Sequence, residues 1–142
     1  MRLLFLSTAL FFFGESYAAP KTTDDKILLV TLTENGIILV GRDTVNVDNL
    51  ARYIQERLFK SYMGTGKMHD RIVVAQSGTS SPDMTVNVVL NEIRNGQKRA
   101  LAQISVQKFR KPFENLGSRQ QDKIKKQFPV LFQELQGQTD TR

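Results

Sequence analysis

The fourteen residues from Ile27 to Val40 constrain this chain more than any others. Ile27-Leu28-Leu29-Val30-Thr31-Leu32-Thr33 is dense in strand formers, and Ile37-Ile38-Leu39-Val40 returns in kind. Asn35-Gly36 between them accepts the positive φ angles of a type I′ turn, so the segment reads as a β-hairpin. Gly41 to Val47 reads as a second, polar turn, and Asn46 stands where its side chain caps a following helix. From Val47, the apolar residues Leu50, Tyr53, Ile54, Leu58, Phe59 and Tyr62 recur at three and four, which gives a helix of about four turns one buried face. Gly64 is expected to end it.

A loop from Gly64 to Asp70 leads into a short strand, Arg71 to Gln76. Ser81 then has the position of a cap and Pro82 that of a first helical residue, where a missing N–H costs nothing. Val86, Val89, Leu90 and Ile93 follow at helical spacing, with Ile93 expected against the sheet, and Asn95-Gly96 is expected to close this helix. In Ala100 to Val106 the residues Ala100, Ala102, Ile104 and Val106 alternate, the pattern of a final strand. The expected fold is therefore α+β and two-layered: a ββαβαβ sheet with helices packed on one face.

Gln107 to Arg142 differs in composition, with eight basic residues against four acidic ones, so four of the six net positive charges fall there. Lys111-Pro112 breaks the preceding element. Ser118 and Gln121 have capping-box spacing, and Ile124, Phe128, Leu131, Phe132 and Leu135 form an apolar stripe that Pro129 must kink or split. The expectation is a C-terminal helical extension that self-associates through this stripe. A chain ending at Gln107 is then expected to stay folded as a monomer.

At the other end, Arg2 precedes an eleven-residue apolar run, Leu3 to Phe13, and Ser16-Tyr17-Ala18 supplies the small-x-small pattern of a cleavage site before Ala19. Eleven residues rise only about 16 Å as a helix, against roughly 30 Å of hydrocarbon. Residues 1–18 are thus read as a signal peptide cleaved between Ala18 and Ala19, residues 19–26 as a polar linker, 27–106 as the domain and 107–142 as the extension. The product is expected in an exported, periplasmic location; the alternative is a retained anchor in the inner membrane with the domain facing the periplasm. Export argues against nucleic acid as the partner of a chain with net charge +6, and points to membrane surface, anionic envelope polymer or an acidic protein face.

Candidate chemistry is sparse. The 142 residues contain no Cys and one His, which excludes a thiolate nucleophile, a disulfide framework and Cys-based zinc. No catalytic residue, cofactor or metal site is expected. Gly64-Thr65-Gly66-Lys67 evokes a phosphate loop, but Ser61 stands where that motif needs Gly and no strand precedes it. His69-Asp70 with Ser77, Ser80 or Ser81 has the residue types of a small envelope hydrolase, yet no elbow motif, and solvated-loop and capping roles account for these residues. Lys98, Arg99, Arg110, Lys111, Lys123, Lys125 and Lys126 remain as a candidate surface for a polyanion or a partner.

The joints of the expected fold resemble the periplasmic domain of the ExbD/TolR family. Leu29 to Gly41 is similar to that family's opening strands, and Val47-Asp48-Asn49-Leu50 to the start of its first helix. Arg71-Ile72-Val73-Val74-Ala75, Val86 to Ile93, Gly96 and Arg99-Ala100-Leu101-Ala102 resemble its strand, helix and closing strand. The likeness spans about residues 27 to 106. It implies homodimerisation and partners of the ExbB/TolQ or TonB type, with peptidoglycan as a further ligand. It also implies a proton-carrying Asp in a membrane helix, whereas Leu3 to Phe13 holds no acidic residue. The expected function is thus a non-enzymatic exported binding module of an envelope or biopolymer-transport assembly. The alternative is a membrane-anchored component of a proton-motive-force-driven complex.

Overall fold

The computed structural model describes residues 26–78 and 83–136. The expected signal peptide with its Ala18/Ala19 junction, most of the expected linker, and Ser80, Ser81 and Pro82 lie outside the described residues. The chain is α+β. Three strands come first, β1 (Ile27–Thr33), β2 (Ile38–Val40) and β3 (Asp43–Val45), then helix α1 (Val47–Thr65), strand β4 (Arg71–Ser77), the long helix α2 (Asp83–Phe109) and α3 (Ser118–Gln127). The sheet is mixed, in the order β3-β2-β1-β4, with β1 antiparallel to β2 and parallel to β4.

The hairpin forms, with Val30 opposite Val40 and Leu32 opposite Ile38. Its turn is not type I′, because only Gly36 has positive φ, at 75°. The Gly36 N–H instead donates to Thr33 O at 2.9 Å, and Gly36 then takes the left-handed position that lets the chain re-enter the ladder. The expected polar turn after β2 contains β3, a three-residue edge strand whose Asp43 and Thr44 are exposed and so carry no apolar signal. Asn46 caps α1, accepting from Asp48 N–H at 3.1 Å. Helix α1 runs past Gly64 to Thr65, where Gly66 at φ 70° supplies the left-handed cap.

The largest departure is at Asn95-Gly96. Helix α2 continues through both residues to Phe109, so the expected strand Ala100 to Val106 is helix and the element order is βββαβα rather than ββαβαβ. A Cβ on Gly96 would meet Ile54 Cβ at 2.7 Å and Ala51 O at 2.8 Å. This glycine permits α1 and α2 to approach closely; it does not end a helix. Alternation at 100–106 is not matched by burial either: Ala100 and Ile104 are buried, while Ala102 and Val106 are exposed.

Residues 110–136 belong to the core. Leu116, Ile124, Phe128, Val130, Leu131 and Leu135 are buried in one cluster with Leu28, Val30 and Leu32 of β1 and Val89 and Ile93 of α2. Pro129 splits the expected helix, so that a 3-10 turn, Pro129–Phe132, follows α3. The expected capping box is absent: Gly117 holds the cap position, and Gln121 Nε2 donates to Phe113 O at 3.1 Å instead. Polar side chains from α2 fasten the segment. Gln97, buried, donates to Val130 O at 2.7 Å, and Arg94 Nη2 donates to Leu135 O at 3.2 Å. Four of the five stripe residues expected to drive self-association are therefore covered by their own chain, and Phe132 is the exposed one. The physical reason is area: a sheet of short strands and two helices leaves apolar surface open that this segment is long enough to cover.

Candidate binding site

Strand side chains alternate between two environments. Leu28, Val30, Leu32, Ile38, Val40, Val45, Ile72 and Val74 are buried, all from one alternating set. The opposite set includes Ile27, Leu29, Leu39 and Val73, and the pairings Leu29 with Val73 and Thr31 with Ala75 place them side by side. Leu29 is 42% exposed and Ile37, at the end of the hairpin, 45%. A solvated sheet face ordinarily carries polar residues at such positions.

The β4 edge of the sheet is partly closed from within. Gln133 Oε1 accepts from Ile72 N–H at 2.8 Å while its Nε2 donates to Ile72 O at 2.8 Å. One side-chain amide thus reproduces the pair of bonds that a neighbouring strand would make. Val74 and Gln76 point their peptide groups the same way as Ile72 by strand alternation, and beyond Gln133 no described residue bonds to that edge. Gln133 had no signature in the sequence, because its partner lies sixty-one residues away.

The cationic candidates lie on α2, on the turn that follows it and on α3. Lys98 and Arg99 are exposed on α2, and from Lys98 to Arg110 the axis advances about 18 Å at the helical rise per residue. Arg110 has a structural task, since it adopts φ 59° where α2 ends and its N–H donates to Val106 O at 2.9 Å. The Lys111 carbonyl accepts from the buried Ser105 hydroxyl at 2.7 Å, which turns the chain. Lys123, Lys125 and Lys126 are exposed on α3, where the same surface also carries Arg119 and Asp122.

His69 and Ser77 stand at opposite ends of β4, about 20 Å of strand apart. The structure therefore does not bring these two together. His69 and Asp70 instead line a cavity between α1 and the start of β1, together with Lys26, Arg57, Lys60 and Lys67. Sequence reasoning missed this grouping because Lys26 and Lys60 come together only when the loop after α1 returns to β1. Asp70 N–H donates to Lys26 O at 2.7 Å at that junction. The Gly64 to Lys67 stretch follows a helix C-terminus, the reverse of a phosphate loop's context.

Asp43 of β3 accepts from the Tyr53 hydroxyl and from Arg57 Nη2, the latter at 3.1 Å. The Asp43 hydrogen bond, with a smaller part from desolvation, raises the Tyr53 phenol above its ordinary pKa. This arrangement fastens the edge strand to the helix. Among the described residues there is no group of three or more His, Cys, Asp or Glu side chains placed to hold a metal ion. No helix among them is long and apolar enough to cross a membrane. Compared with known proteins, the chain matches no protein-family model and no curated protein.

Proposed function

We propose that this chain is a non-enzymatic binding module of ExbD/TolR type, exported to the periplasm, where it engages a partner protein or cell-wall polymer within an envelope or biopolymer-transport assembly. The observation that carries the reading is the sheet. One face is packed, while the other presents Ile27, Leu29, Leu39 and Val73, and the β4 edge offers backbone groups at Val74 and Gln76. An extended partner segment adding to that edge gains main-chain hydrogen bonds, and the apolar face beside it supplies side-chain selectivity. The partners implied by the resemblance are of the ExbB/TolQ or TonB kind, with peptidoglycan as the polymer and a second copy as a further occupant.

The test is complementation of a deletion strain by the full chain carrying Leu29→Asp and Val73→Asp. Both positions lie off the packed face, so thermal stability should change little while the envelope or transport phenotype is no longer rescued. Full rescue by the doubly substituted chain overturns the reading. The membrane-anchored alternative, a component of a proton-driven complex, is separated from it by the N-terminus of the protein in fractionated cells: Ala19 in periplasmic extract supports export, and Met1 in carbonate-washed inner membrane supports the anchor.

A further inference from the structure

The cavity between the second half of α1, the residue before β1 and the loop before β4 has a volume of about 420 Å3, within the range of small-ligand sites. Lys26, Lys60 and Lys67 stand around it, Arg57 lines its wall and the buried Met68 belongs to its apolar lining. A cluster of lysines is often no more than a solvated surface, and three sets of observations argue against that here.

The charges are unbalanced: Lys26, Arg57, Lys60 and Lys67 line the cavity with one carboxylate, that of Asp70. Among the described residues the ion pairs within 4.0 Å are Arg52 with Glu56 and Arg57 with Asp43, so Lys26, Lys60 and Lys67 have no carboxylate at that range. The last turn of α1 contains no basic residue of its own, and Gly66 N–H closes the Tyr62 carbonyl at 2.7 Å. The walls are also held in place before any ligand arrives. The Ser61 and Thr65 hydroxyls lie 3.3 and 2.8 Å from Lys67 O, and Asp70 N–H fixes Lys26 O at 2.7 Å. Such preorganisation lowers the ordering cost of binding. Arg57 adds a positive charge at the wall, with its Nη2 held by Asp43.

We propose that this cavity binds a phosphate-bearing anion through Lys26, Lys60 and Lys67. Lysines that line one cavity from separate elements suit a phosphate, whose oxygens point in several directions. A carboxylate is matched best by the planar fork of an arginine, and the fork of Arg57 is already turned to Asp43. The apolar lining takes the organic part of the ligand. Recognition runs through side chains around a helix C-terminus, not through loop amides. The phosphate comes either from a soluble molecule or from a lipid headgroup. The inference does not depend on the open sheet face.

The test is a titration of the isotopically labelled full chain with inorganic phosphate at constant ionic strength, read by amide chemical shifts. Saturable shifts confined to Lys26 and residues 57–70 are expected. The doubly substituted chain Lys60→Glu, Lys67→Glu, altered only at exposed positions, should bind about tenfold more weakly or worse, as loss of charge-assisted bonds requires. Lys67→Gln alone should give an intermediate loss, and Lys125→Glu on α3 should bind as the unaltered chain does. Vesicles of phosphatidylglycerol in phosphatidylcholine then identify the source. Sedimentation with them that phosphate displaces and the double substitution abolishes marks a headgroup; saturable shifts without such sedimentation mark a soluble phosphate. Absence of saturable shifts, or a loss at Lys125→Glu equal to that of the double substitution, overturns the proposal.

Discussion

Phe128→Ala distinguishes a C-terminal segment that is core from one that is an association surface. Phe128 is 1% exposed, and its ring meets Tyr62 of α1 edge-on, with centroids 5.3 Å apart and planes at 86°. Lys108 Nζ lies 5.4 Å from the same ring. Truncating a buried Phe costs about 3 to 5 kcal/mol, from lost transfer energy and the cavity left behind, and the edge-on pair accounts for about 0.5 to 1.5 kcal/mol of it. With a urea dependence of about 1.5 to 2 kcal/mol per molar for a domain of this size, the unfolding midpoint should fall by roughly 2 M. Any dependence of the midpoint on protein concentration should survive in the variant, because the side chains around Phe128 belong to the same molecule. A midpoint that barely moves, or one that rises with concentration in the unaltered chain and loses that dependence in the variant, would refute the reasoning and restore the stripe as an interface.

The helix crossing offers a second perturbation: Gly96→Ala should destabilise the chain by about 1 to 2 kcal/mol in the same assay, since the close approach to Ile54 and Ala51 costs more than the roughly 1 kcal/mol of helix propensity gained. Stabilisation would show that the two helices have room between them. Gln133→Ala should speed hydrogen exchange at the Ile72 amide, which loses its acceptor, and lower stability by about 1 to 3 kcal/mol; unchanged exchange would place the segment away from the β4 edge. At alkaline pH the raised pKa of Tyr53 sets the sign of its contribution. Stability from its hydrogen bond to Asp43 is fully present below the unfolded pKa and is lost as pH rises through the higher folded value, so Tyr53→Phe should flatten that part of the pH profile of the melting temperature. An identical alkaline profile in the variant would remove Tyr53 from the account.

What sequence determined by itself was local. The strand-forming runs at 27–33 and 71–76 and the cap at Asn46 rest on side chain and backbone chemistry within a few residues, and the structure forms them there, with the second strand one residue longer. Pro129 likewise had to interrupt the helix whatever surrounded it, because its ring opposes the carbonyl four residues back. The hairpin was legible as a hairpin, but its turn type depended on the single positive φ at Gly36.

Tertiary structure decided the rest, and the middle of α2 shows why. Its buried face runs Ile93, Gly96, Gln97, Ala100, Ile104, an unbroken helical stripe in which the second and third members carry no apolar side chain. Gly96 is there for the approach of α1, and Gln97 for the carbonyls of Val130 and Gln133. Each answers to a partner more than thirty residues distant, so neither role has a local signature, and in the sequence Asn95-Gly96 imitates a helix end. The cationic cavity and the Gln133 clasp have the same origin: Lys26 meets Lys60 and Lys67, and Gln133 meets Ile72, only because packing brings together segments that no spacing rule connects.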